Sequence, residues 1–189
     1  MVVPESLRLL LTLALGGATV FHLGRTLRPG GTHEHRIAES LHAVMGGAMV
    51  AMLWPFGRAV PASTWLVVFA GSAGWFAAQA ARAGGRRLVP AYFASAAAAM
   101  VWMSEAMPAA PAMDMPGMEH ATPGRAAWAG AAIGCYLVAA GLAWVLSGLR
   151  LGALPRAAPT AEPAARWHWP ALCHGVMSVS MGLTMLTLV

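Results

Sequence analysis

Residues 126–149 read AAWAGAAIGCYLVAAGLAWVLSGL and contain no Asp, Glu, Lys, Arg or His. About 20 mostly apolar residues, rising about 1.5 Å each, carry a helix across the hydrocarbon core of a bilayer. Five further stretches have this character, at about 6–27, 37–56, 64–83, 89–107 and 168–189. The expected fold class is all-α: an integral membrane bundle of six transmembrane helices forming a single domain over 1–189. The start, Met-Val-Val-Pro-Glu, lacks a basic region and no small-residue cleavage site follows, so the first apolar stretch is expected to remain as a helix.

Composition supports this reading. Of the 189 residues, 58% are hydrophobic and 10% charged, too little charge to cover a water-soluble domain of this size. All 12 basic residues are arginine, scattered singly and without a recognition motif, so nucleic acid is not an expected partner. The absence of lysine removes the phosphate-binding Gly-x-x-x-x-Gly-Lys loop, and no Gly-x-Ser-x-Gly elbow occurs. Nothing points to an enzyme. Cys135 and Cys173 lie in apolar segments and make no disulfide framework. A buried, inert thiol is expected at Cys135, while Cys173 adjoins His174.

The arginines set an expected orientation. The 1–2, 3–4 and 5–6 connections carry Arg25, Arg28, Arg36, Arg82, Arg86, Arg87, Arg150, Arg156 and Arg166, against Arg8, Arg58 and Arg125 on the other side. Basic residues concentrate on the cytoplasmic face, so both termini are expected to be extracytoplasmic in a multi-pass protein of the cell membrane. Trp54, Trp65, Trp102 and Trp128 would mark one interface, and Trp144, Trp167 and Trp169 the other. Gly130-x-x-x-Gly134 and Gly71-x-x-Gly74 are candidate close contacts between helices. Residues 150–167 form an Ala/Pro-rich cytoplasmic loop and 108–125 a Met/His-rich outer loop holding Met113, Met115, Met118 and His120.

The chemistry lies in a repeated pattern. The second helix has His42, Met45, Met49 and Met52, the sixth His174, Met177, Met181 and Met185, and both contain His-x-Val-Met-x-x-x-Met. Steps of three and four residues align these groups on one helical face. The fourth helix adds Met100 and Met103, and the first adds His22. Counted from the inner arginines, Met49, Met100 and Met181 would lie roughly 20 Å deep, His42 and His174 at roughly 9–12 Å, and His22 within about 5 Å of the boundary. Thioethers and imidazoles are neutral ligands that suit Cu(I), and a neutral set costs less to bury in lipid than an acidic one. A methionine stripe alone is ordinarily packing, whereas an intramembrane histidine points to function. The expectation is a membrane protein that binds Cu(I) for transport, transfer or homeostasis. Two alternatives stand beside it: a metal-free accessory subunit with a membrane or extracytoplasmic protein partner, and a b-type haem cytochrome with histidine or His/Met ligands.

Weaker signals surround the stripes. His33-Glu34-His35 sits in the expected first cytoplasmic loop, where a solvated turn is the ordinary reading. Glu39 precedes His42 by three residues and is expected either to orient that imidazole or to neutralise Arg36. Glu105, Asp114 and Glu119 give the outer side a mild negative charge.

From His42 to Met52, through the Met-rich loop, to the helix from His174 to Met185, the chain resembles a family of actinobacterial multi-helix membrane proteins classed only as a domain of unknown function. That resemblance implies a multi-helix membrane protein and supplies no activity or ligand set.

Overall fold

The computed structural model describes residues 5–106, 124–149 and 168–187. It is all-helical: six α-helices, and no strand among the described residues. They are α1 (Glu5–Thr26), α2 (His33–Leu53), α3 (Ala62–Arg82), α4 (Leu88–Ala106), α5 (Gly124–Gly148) and α6 (His168–Thr187). Short 3₁₀ turns at Pro55–Ala59 and Gly84–Arg86 join α2 to α3 and α3 to α4. The outer loop with Met113, Met115, Met118 and His120, and the Ala/Pro-rich loop, lie outside the described residues.

Two helices, Glu5–Thr26 and Ala127–Gly148, are long and apolar enough to cross a membrane by length and hydropathy. Among the described residues the other four do not reach that combination of length and hydropathy. Three acids and bases, Glu34, Arg36 and Glu39, lie in α2, and Ser, Gly, Trp, Gln or His dilute the apolar residues of α3, α4 and α6.

α2 begins four residues earlier than the apolar run does. Thr32 is extended, and its Oγ1 accepts the backbone N–H of His35 at 3.2 Å, satisfying one of the free amides of the first turn. Gly30, at φ +88°, supplies the preceding left-handed turn. His33, Glu34 and His35 are therefore helical, not a loop.

The helices pair in sequence order as hairpins, α1 with α2, α3 with α4 and α5 with α6, and α1 also packs on α6. The α5–α6 seam is built on glycines seven apart, Gly134, Gly141 and Gly148 facing Gly175 and Gly182. Seven residues make nearly two turns, so each set lies along one stripe. A Cβ on Gly182 would stand 2.6 Å from the Gly134 carbonyl oxygen, and one on Gly141 2.8 Å from the Val179 amide nitrogen. Backbone meets backbone there, which only glycine permits. Gly71 and Gly74, by contrast, face open space. Because Gly134, Leu137 and Gly141 turn toward α6, Cys135 faces outward. The expected buried thiol is exposed.

Gly141→Leu should destabilise the protein by about 1–3 kcal/mol or more through overpacking, read as a lowered midpoint of thermal unfolding in detergent. Gly71→Ala, at an open helical position, should not lower that midpoint.

Candidate functional site: a buried imidazole and thioether cluster

Three helices deliver three imidazoles to one place. The ring of His42, from α2, lies 4.5 Å from that of His174 on α6 and 5.1 Å from that of His22 on α1. His22 and His174 are 4.9 Å apart, centre to centre. His22 reaches the other two from the last turns of α1, four residues before its end at Thr26. Phe93 of α4 packs edge-on against His42 at 4.4 Å and tilted against His174 at 4.6 Å. Phe76 closes on His42 and Trp144 on His174. Trp144 is therefore part of the cluster's wall, although its place in α5 suggests an interfacial belt.

The thioethers continue the cluster. Met45 and Met49 of α2, Met100 and Met103 of α4, and Met177, Met181 and Met185 of α6 are all buried in one core, with Met52 partly buried against it. Helical periodicity is responsible: each is three or four residues from the next, so each helix turns one sulfur-bearing edge inward. His42, Met45, Tyr92, Phe93, His174, Met177 and Met181 line a cavity of about 20 Å³, enough for a single water-sized occupant. Among the described residues, no three His, Cys, Asp or Glu side chains are grouped so as to hold a metal ion. Glu105 is exposed at the end of α4.

Hydrogen bonds fix the state of the rings. His42 Nδ1 lies 2.7 Å from the Ala38 carbonyl oxygen. A carbonyl only accepts, so Nδ1 carries the proton, and a neutral ring has its lone pair on Nε2. His22 Nδ1–H donates to Glu39 Oε2 at 2.7 Å, which likewise leaves Nε2 as the open position of a neutral ring. Both Nε2 atoms are buried without a hydrogen-bond partner among the described residues. Buried polar atoms are rarely left so, and each such exception calls for an explanation.

Glu39 occupies a different role from either expected one. Its carboxylate takes His22 on one oxygen and the Arg25 Nε–H, at 2.8 Å, on the other. His42 is bound through backbone, and Arg36 donates to the Arg28 carbonyl oxygen. A three-residue offset puts Glu39 and His42 on neighbouring turns, but the angle of α1 against α2 brings His22 and Arg25 closer to the acid. Arg25 also donates through Nη2 to His35 Nε2 at 3.2 Å, which places the His35 proton on Nδ1. Arg25 has no distinguishing sequence pattern beyond being a charge within an apolar helix. The His22-x-x-Arg25 and Glu39-x-x-His42 spacings are the only traces of this network.

A family model described as Domain of unknown function (DUF5134) matches residues 34–188. The chain belongs to this family. The match takes in both His-x-Val-Met-x-x-x-Met stretches and leaves His22 and Arg25 outside it. No curated protein and no solved structure matches the chain.

Removing the Glu39 carboxylate would strand the fully buried His22 Nδ1–H and the half-buried Arg25 guanidinium together. Glu39→Ala should cost about 3–5 kcal/mol, as loss of one partner of a buried ion pair does. Glu34→Ala, at an exposed position, should stay within about 0.5 kcal/mol, both read by denaturant unfolding in detergent.

Proposed function

We propose that this chain is a six-span membrane protein that binds Cu(I) between α2, α4 and α6. The apolar exterior supports the membrane setting. Leu13, Val20, Val67 and Trp128 are 69–79% exposed, whereas His22, Glu39 and His42 are 0–7% exposed. That is the reverse of a water-soluble surface, and it suits a bundle whose solvent is lipid. With nine of 12 arginines on the odd-to-even connections, those connections face the cytoplasm and both termini face out.

One observation carries the metal reading: His42, His174, Met45, Met177 and Met181 line one small cavity, and the buried Nε2 of His42 has no hydrogen-bond partner among the described residues. Cu(I) is the biological cation that favours neutral sulfur and imidazole nitrogen together. The donor set of this proposal is a mixed one, His42 and His174 with the three methionines. Met49, Met100, Met103 and Met185 extend it along the bundle, and Met113, Met115, Met118 and His120 would collect the ion outside. Spaced, weak sites of this kind allow an ion to leave as well as arrive, which suits transport or transfer. The 4.5 Å between His42 and His174 leaves no room for a haem between two axial imidazoles, which favours copper over the cytochrome reading.

Two variants separate binding from packing. His42→Ala combined with His174→Ala should remove most of the copper bound per purified protein in reductant; unchanged stoichiometry would exclude these ligands. Met45→Leu with Met177→Leu and Met181→Leu conserves volume, costing less than about 1.5 kcal/mol per site, so the fold should persist while Cu(I) affinity falls at least about tenfold. An unchanged affinity would mean that the methionines only pack. Purified wild-type protein should show no Soret band.

A further inference from the structure

At the α1–α2 end, one charged pair stands between a partly exposed histidine and the imidazole cluster. His35, on the first turn of α2, has a 39% exposed side chain. Its Nε2 accepts from Arg25, whose side chain is 13% exposed. Arg25 is held by Glu39, Glu39 holds His22, and the fully buried His22 ring touches both His42 and His174. Four groups, His35, Arg25, Glu39 and His22, thus lead from the surface to the cavity-lining His42 and His174, and a guanidinium stands among them.

That guanidinium occupies the position a cation would take. Glu39 Oε1 and His35 Nε2 are both lone-pair donors directed at Arg25, and Arg25 offers only N–H groups in return. Its position is fixed from below as well, with the Phe21 ring 5.9 Å from the guanidinium carbon. An always-charged side chain in this place blocks the path sterically and repels any further cation in a medium that screens poorly. It also neutralises the carboxylate that would otherwise draw a cation out of the cluster.

We propose that Arg25 is a tethered plug: its pairing with Glu39 and His35 closes the α1–α2 end of the imidazole cluster, and a cation passes only when the guanidinium swings aside. The inference rests on the copper reading for the identity of the ion, but not for the closure itself. Swinging Arg25 outward frees Glu39 Oε1 and His35 Nε2 as transient stations beside His22, so the plug and the exit are the same groups. Among the described residues, His33 and Glu34 on the same turn, Arg28 and Arg36 at the neighbouring helix ends, and Cys173 of α6, which lies within electrostatic reach of Glu39 and Arg25, are further charged or titratable groups near this mouth.

Arg25→Gln tests the plug, since glutamine can still donate a hydrogen bond to Glu39 but carries no charge and is shorter. Where that variant does not fold, Arg25→Gln with Glu39→Gln removes both charges together and replaces it. Full-length protein loaded with Cu(I) is mixed with the water-soluble chelator bathocuproine disulfonate, and release is followed by absorbance. In parallel, deuterium exchange at the His42 and His174 ring C2–H is followed by mass spectrometry in D₂O. The plug predicts equal copper per protein, release at least about tenfold faster in the variant, and C2–H exchange raised by a similar factor. Copper held at equal stoichiometry and released at the wild-type rate, with unchanged exchange, would overturn it. Wild-type protein that binds no copper would defeat the metal reading alone. Ring exchange then decides the plug: acceleration in the variant supports it, and no acceleration overturns it.

Discussion

The organisation of the interior depends on how one buried carboxylate is satisfied. Glu39 is the only buried acid among the described residues, and its two oxygens are shared between His22 and Arg25. Burying such a group without partners is far costlier than the few kcal/mol that separate folded from unfolded protein. The pair therefore fixes the register of α1 against α2 as well as neutralising the charge. Register in turn sets the height of His22 beside His42, and the contact of α1 with α6 brings in His174. Three imidazoles meet because one acid had to be matched.

The rest of the interior is soft and neutral. Methionine sulfur fills space as leucine would, and it differs only when an electrophile is present. The geometry therefore puts seven buried methionines in one core without separating packing from ligation. The histidines are what favours the proposed ligation over packing alone. A hydrocarbon core gains nothing from an imidazole nitrogen with no partner, and the His42 and His22 Nε2 atoms are in that position. In the copper site proposed above, neighbouring thioethers would complete the donor set at modest cost, being neutral themselves.

Much of this architecture could be read from residue order. The six helices follow from apolar length, and the inward direction of Met45, Met49, Met177 and Met181 follows from steps of three and four. What periodicity does not encode is how helices lean on one another. Glu39 lies three residues before His42 in the sequence, yet it binds across to α1. Trp144 reads as an interfacial residue, yet it packs on His174. The glycine seam was legible only in part: Gly134 stood out through Gly130, whereas the sevenfold run through Gly141, Gly148, Gly175 and Gly182 is diluted by the many other small residues.

X-ray absorption at the copper edge, on wild-type protein loaded in reductant and washed free of excess metal, tests the central claim most directly. A first coordination shell containing both sulfur and imidazole nitrogen is the predicted result. A shell of oxygen and nitrogen alone, or no retained copper to measure, would contradict it.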